Sequence, residues 1–446
     1  MKKIVTILFA CLLQAIASSQ TVTTKLDEFL TTCSTQNKFN GTALVAQKGK
    51  VLLQKGYGIK DAGTSALNNT TTIYQVGSVT KQFTSAIILR LQEQHKLSVK
   101  DKLSKYFPEY PDGDKIIIEN LLTHTSGIYS YTSDSKFMAT EITKAYTREK
   151  MMALFKDKPL EFEPGTKWSY SNSGYSMLGY VIEKVTGKPY EKVMREMILE
   201  PLQMNHSGFD FAHLKSPDKA TGYITLNENA KAAAPIVDSS VSYAAGSLYS
   251  SVEDLYKWER AISANKILSP GSWKMAFTPF RNKYGYGWFI DTMYAKLITA
   301  HGGGIHGFNA NLLRIPQEEI AIILLNNKGN PHLDEITRGI AAILLGEKYD
   351  LPKERVQIKV ADSILQQYVG EYDLSPAFKI TVWTTNGMLK AQATGQPEFE
   401  LFAEKEHFFF LKVVDAQVEF IKGADGKIEK MILFQNGMQL PGKKIK

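Results

Sequence analysis

Thr72-Ile73-Tyr74-Gln75-Val76 runs directly into Gly77-Ser78-Val79-Thr80-Lys81-Gln82-Phe83, a strand-like stretch followed by a helical one. Phe83, Ile87, Ile88 and Leu91 recur at helical spacing. Ser78 therefore stands where a helix begins, and Lys81 lies one turn on, on the same face. That spacing brings an amine next to a hydroxyl. A serine hydroxyl is a poor nucleophile until an adjacent base takes its proton. A lysine can be that base only if its pKa falls from about 10.4 toward roughly 7–8. The pattern alone is not diagnostic. Ser-x-x-Lys recurs at Ser133/Lys136, Ser216/Lys219 and Ser263/Lys266, in polar stretches with no strand ahead of them. An N-cap serine followed by a solvated lysine reads the same way.

The chain around this stretch has 446 residues, more than one ordinary core holds, so two domains are expected. Composition is that of a globular protein, 43% hydrophobic and 22% charged. The net charge of +8 is spread thinly, with no run of five basic residues, which gives no support to nucleic-acid binding. Residues 1–20 read as a secretory signal: Lys2 and Lys3, an apolar run from Ile4 to Ile16 too short for a membrane span, and Ala15-Ile16-Ala17 as a cleavage site. The expected location is periplasmic or secreted. Removal of that segment leaves Cys33 alone, so no internal disulfide is expected.

Helix-like stretches fill the middle of the chain and strand-like ones lie toward the ends. Thr42–Ala46 and Val51–Gln54 flank a Lys48-Gly49-Lys50 turn as a hairpin. Tyr284–Ile290, Ala295–Ala300, Asn309–Ile315 and Ile320–Leu325 read as strands, and 332–345 as a helix. This order predicts an α+β domain over 21–348, in which the hairpin and the late strands share one antiparallel sheet flanked by helices, with a mostly helical insert. Residues 349–362 read as a linker. Residues 363–446, with alternation in Phe378–Val382 and turn pairs at Asn386-Gly387, Asp425-Gly426 and Asn436-Gly437, read as a small all-β barrel or sandwich.

Two further groups can carry chemistry. Tyr170-Ser171-Asn172 is the only Tyr-x-Asn in the chain. A tyrosine near a lysine can share a proton, and an asparagine amide can orient that lysine and hold a substrate carbonyl. A turn of small polar residues is the alternative. His301-Gly302-Gly303-Gly304 lies on or beside a late strand, where glycines admit a substrate backbone and expose N–H groups for an oxyanion hole. A flexible hairpin edge is the alternative there. The eight histidines show no metal-ligand spacing, and no phosphate loop, dinucleotide fingerprint or Gly-x-Ser-x-Gly elbow occurs. No metal or other cofactor is implied.

In this order, Ser78-Val-Thr-Lys81, Tyr170-Ser-Asn172 and His301-Gly-Gly303 resemble the three motifs of the serine β-lactamase and penicillin-binding-protein superfamily. The flanking Leu121-Leu-Thr-His-Thr-Ser-Gly127, Glu163–Tyr175 and Gly246–Ser250 resemble its class C β-lactamase-like branch of carboxypeptidases, D-aminopeptidases and esterases. The tail resembles a lipocalin-like β domain. The resemblance implies that Ser78 is acylated, Lys81 accepts its proton and Tyr170 is the general base or acid. It further implies that Asn172 positions substrate and lysine, and that the N–H groups of Ser78 and Gly304 form the oxyanion hole beside Gly303. His301 takes the place of the lysine in true β-lactamases and would face a substrate carboxylate. With an ordinary pKa of about 6.5 it would gain charge as pH falls toward 6. The implied substrates are D-amino-acid peptides, as for a D-alanyl-D-alanine carboxypeptidase, or small esters and amides. A β-lactamase and a non-catalytic penicillin-binding sensor or binding module are the competing readings.

Overall fold

The computed structural model describes residues 22–227, 230–329, 333–352, 355–375, 378–412, 416–435 and 438–446. The expected signal segment and the Asn436-Gly437 turn lie outside them. Two compact units divide the chain at Leu351/Pro352.

The first unit is built on a six-stranded antiparallel sheet. Its spatial order is Lys50–Tyr57, Gly41–Gln47, Ile320–Asn326, Phe308–Ile315, Lys296–Ile305 and Phe289–Met293. The N-terminal hairpin does join the late strands: Gly41 pairs with Asn326 and Gln47 with Ile320. Period-2 alternation sorts the side chains to two faces. Leu44, Ala46, Ile323 and Leu325 face the helices of the insert. Ala43, Val45, Ile322 and Leu324 pack on the helices at 22–35 and Leu333–Leu345. A strand covered on both faces needs apolar residues at every position, which is why Ile320–Leu325 reads as an unbroken apolar run.

Two strand bounds differ from the sequence expectation. Residues 284–288 are not a strand, because the chain there bends onto the Ser78 helix. Gly287, at φ +79°, lies so close that a Cβ would stand 2.6 Å from the Lys81 carbonyl oxygen. Only Phe289–Met293 pairs. Conversely, the Lys296–Ile305 strand continues through the glycines to Ile305, held by Phe308–Ile315 on one side. Its partner on the other side stops at Ala300, leaving His301–Ile305 with a free edge.

The second unit is a closed eight-stranded barrel in which each strand pairs with the next, and Tyr372 and Asp373 of the first strand meet Lys444 and Lys443 of the last. Tyr368, Tyr372, Phe409 and Phe420 fill it, Tyr368 stacking on Phe420 at 4.4 Å. Asn386 and Gly387 both have positive φ, the geometry of a tight hairpin turn. The barrel unit starts earlier than the expected 363. Val360 belongs to its core, the Ile358 N–H donates to the Ala403 carbonyl, and a helix at Asp362–Tyr368 precedes the first strand. From Pro352 on, the segment read as a linker belongs to the second unit.

Each unit buries an apolar core of its own. Residues 22–351 expressed alone should therefore give a soluble protein with native-like circular dichroism and one cooperative melt. An aggregated or non-cooperative fragment would show that the first unit needs the second to fold.

Candidate functional site

Ser78 lies in the single 3-10 turn Gly77–Val79, and the helix Thr80–Glu93 follows it. The Thr80 hydroxyl donates to the Gly77 carbonyl at 2.7 Å, tying the turn to the helix start. Phe83 stacks on Trp258 at 4.4 Å, which anchors the helix in the core. One turn in, Lys81 is wholly buried, yet its Nζ reaches three oxygens: Ser78 Oγ at 2.9 Å, Asn172 Oδ1 at 2.7 Å and the Ala245 carbonyl at 2.7 Å. Burial, with no carboxylate among these partners, holds the amine well below the ordinary lysine range. In its neutral form the amine has two N–H groups for the two carbonyl oxygens, which can only accept, and its lone pair would then face the Ser78 hydroxyl.

Each partner has a local cause. Asn172 opens the helix Asn172–Thr186, which the Ser171 hydroxyl caps by accepting from the Gly174 N–H at 3.2 Å. The Asn172 amide is oriented by its Nδ2 donating to Thr132 Oγ1 at 3.1 Å, while its own N–H donates to Ser130 Oγ. Ala245 comes from the helix Ser239–Gly246, broken at Tyr243 (φ 38°, ψ −134°). The break turns two carbonyls outward: Ala244 accepts from Thr84 Oγ1 at 2.7 Å and Ala245 from Lys81. No periodicity in the sequence marks this element.

Tyr170 hydrogen-bonds Ser78, and burial keeps its hydroxyl protonated far above the usual range. Its ring lies under the Lys81 amine, 4.9 Å from Nζ, and against the His124 ring at 4.1 Å. His124 accepts the Ser171 N–H through Nδ1 at 3.1 Å, leaving its buried Nε2 with no hydrogen-bond partner. His124, Thr132 and Tyr284 support the three motifs, and the sequence reading gave them no role. His124 sits inside the Leu121–Gly127 stretch quoted above, which was its one visible signal; Thr132 and Tyr284 had none.

The glycines seat the Ser78 turn on the free strand edge. A Cβ on Gly303 would lie 1.9 Å from the Val76 carbonyl oxygen, and one on Gly77 (φ +51°) 2.9 Å from the Gly304 nitrogen. Ser78 and Gly304 both line a cleft of about 380 Å³ whose walls include Met138, Val237, Val241 and Ile305. Two backbone N–H groups at one cleft wall are the elements of an oxyanion hole.

His301 is a correction. It is 2% exposed and does not line the cleft. Its Nδ1 lies 2.6 Å from the Gly302 carbonyl, so Nδ1 carries the proton, and Nε2 accepts from the Tyr284 hydroxyl at 2.9 Å. Burial, then the nearness of Lys81, pushes its pKa down to about 3. Both ring nitrogens are committed inside the protein, so the ring neither charges near pH 6 nor meets a substrate carboxylate.

A model of the Beta-lactamase family matches residues 26–347, and a domain of unknown function (DUF3471) matches residues 354–444. Penicillin-binding protein 4* of Bacillus subtilis (strain 168) is 28% identical over 440 residues, covering 93% of this chain and 97% of that protein. Among solved structures, the octameric penicillin-binding protein homologue from Pyrococcus abyssi aligns with a TM-score of 0.68 and 26% identity, covering 94% of this chain and 99% of that one. A D-stereospecific amidohydrolase from Streptomyces sp. aligns with a TM-score of 0.61 and 26% identity, over 69% of this chain and 94% of its own. The order of the motifs, the sheet that seats them and the match across most of the chain agree: this protein belongs to the β-lactamase family of serine hydrolases, together with the penicillin-binding proteins.

Proposed function

We propose that this protein is a secreted hydrolase that cleaves D-amino-acid peptides or small esters and amides through an acyl-enzyme on Ser78. The observation that carries the reading is the buried Lys81 amine, held well below the ordinary lysine range by burial, 2.9 Å from the Ser78 hydroxyl. Likeness to a D-stereospecific amidohydrolase supports the substrate class. The positive start and short apolar run of residues 1–20 support export.

In this mechanism the Ser78 oxygen attacks the substrate carbonyl carbon as its proton passes to Lys81. The carbonyl oxygen becomes an oxyanion between the N–H groups of Ser78 and Gly304. Collapse of that intermediate breaks the bond to the amine or alcohol. The leaving group takes the proton back from Lys81 by way of the Tyr170 phenol, which donates as it accepts. Water then attacks the Ser78 ester over the same route and releases the acid. Asn172 holds Lys81 through Oδ1 and offers its remaining amide hydrogen to the substrate. Because Tyr170 is held as a phenol, Lys81 is the base, and Tyr170 the relay.

Ser78→Ala should lose all labelling by a fluorophosphonate, read by intact mass, with its melting curve unchanged. Labelling or turnover at the wild-type level would reject the mechanism. Tyr170→Phe should lower kcat by about 10²–10⁴-fold, the ordinary scale of a proton-transfer group. A loss under about threefold would remove Tyr170 from the proton path.

The pH profile separates the lysine from the histidine. A depressed pKa means that Lys81 is neutral and competent above that value, and activity is lost as pH falls through it. The acid limb of kcat/KM should therefore lie below the ordinary lysine range of about 10.4 and be the same for free-acid and ester substrates. His301, at about 3, adds no step between pH 5 and 8. A gain specific to free-acid substrates on going from pH 7.5 to 6 that disappears in His301→Gln would mean that His301 titrates and faces the substrate, against its geometry here.

A further inference from the structure

The cleft at Ser78 is unusual in its charge. Among the described residues its lining holds no lysine, arginine, aspartate or glutamate, and His306 is its single side chain able to become a cation. Lys81 is buried behind Ser78 and His301 behind the strand. The apolar part of the wall is Met138, Val237, Val241, Ala245 and Ile305, and the neutral Asn172 amide, hydroxyl groups and glycines make up the rest. A carboxylate entering such a site gives up its water and meets no counterion, which is strongly unfavourable. An apolar group entering it gains from burial.

Resting on the acyl-enzyme reading above, we propose that this cleft selects substrates that are uncharged on both sides of the scissile bond and carry an apolar side chain, that is, neutral D-aminoacyl amides and esters rather than free-acid peptides. His306 is the residue that sets this choice. It occupies the first position of the two-residue turn between the paired residues Ile305 and Phe308, on the strand that carries Gly304. The second position is Gly307, at φ +78°, where a Cβ would come within 2.6 Å of the Ala234 side chain. The turn is packed in place, so residue 306 is presented to the cleft at a fixed point. It is half-buried there, and loss of water favours its neutral form. A permanent cation at this position would supply the counterion that the wild-type wall lacks.

The test uses N-acetyl-D-leucyl-D-alanine and its C-terminal amide, a pair differing only in the carboxylate. At pH 7.5 the full-length protein should favour the amide by about tenfold or more in kcat/KM, the difference lying in KM. His306→Lys should shrink that preference by about tenfold. Met138→Lys, which puts a cation at another lining position of the same cleft, should act in the same direction and serves if the first variant melts abnormally. The proposal is overturned if the wild type cuts the acid as well as the amide. It is equally overturned if a natively melting lysine variant keeps the wild-type ratio. If neither peptide is cut while a fluorophosphonate still labels Ser78, the substrate class is wrong and the nucleophile stands. If Ser78 is not labelled, the acyl-enzyme reading falls and this inference falls with it.

Discussion

A buried amine without a counterion is the constraint from which the rest of the site follows. The same domain shows what the fold does when it keeps a buried cation charged. Arg314, 5% exposed, is met by Glu259 at 3.3 Å and by Ser263 Oγ at 2.9 Å, with Glu259 also accepting from Ser263. That arrangement compensates for the lost water with an opposite charge. Lys81 receives two neutral carbonyls and a hydroxyl instead. Carbonyl dipoles offset the desolvation of an ammonium far less than a carboxylate does, so the neutral amine is favoured. The contrast also disposes of one competing Ser-x-x-Lys: Ser263 is spent on the arginine network and is no nucleophile.

Holding that amine against Ser78 requires three separate chain segments to converge within a few ångströms. The glycines make this possible by contact rather than by flexibility. Gly303 and Gly77 remove the Cβ atoms that would otherwise keep the Ser78 turn off the free strand edge. The turn in turn starts the helix that buries Lys81, and the opposing helix begins at Asn172 because Ser171 caps it. Convergence thus comes from a strand edge, two helix starts and one helix break, all of them rigid. Side chains held this way keep their rotamers through packing, which is the condition for catalytic geometry to be maintained.

Sequence made some of this legible and hid the rest for identifiable reasons. The sheet was readable because strands covered on both faces carry unbroken apolar runs, and Ile320–Leu325 is one. Ser78, Lys81, Tyr170 and Asn172 were readable because motif order survives in a linear chain, and the structure brings these four together. Gly303 and Gly304 were read as admitting a substrate backbone; the backbone that Gly303 admits is the chain's own at Val76 and Ser78. His301 was misread because sequence gives a residue's place on a strand but not the depth of its side chain; Tyr284, 17 residues away, claims its Nε2. Ala245 was invisible because its part is played by a backbone carbonyl exposed by a helix break, to which no residue type is bound. His124 was hidden likewise: its part is to fill the space behind Tyr170 and take the Ser171 N–H, which only the fold defines. The early start of the second unit was missed although Val356, Ile358 and Val360 alternate with Gln357 and Lys359, because the stretch was read for its polar residues and Pro352.

The absence of fixed charge around Ser78 has a consequence for how the proposed reaction would be driven. With Lys81 acting as the neutral base proposed above, the attack creates a pair of charges where none existed: an ammonium on Lys81 and an oxyanion on the substrate. A dry site opposes that separation unless dipoles already point the right way. Here they do. Asn172 Oδ1 and the Ala245 carbonyl accept from the neutral amine at 2.7 Å and bind the ammonium more strongly without moving. The N–H groups at Ser78 and Gly304, two residues of the cleft wall, would do the same for the oxyanion in the proposed reaction. Stabilisation that grows only as charge develops lowers the barrier, while equal stabilisation of the resting state would not. A permanent cation at position 301 would assist the oxyanion, but it would also oppose the proton arriving on Lys81. A neutral histidine buried with both nitrogens occupied avoids that opposition, at the cost of any charge to offer a substrate carboxylate. The residue at 301 thus bears on the base at Lys81, while the preference proposed for uncharged substrates rests on His306 and the cleft wall.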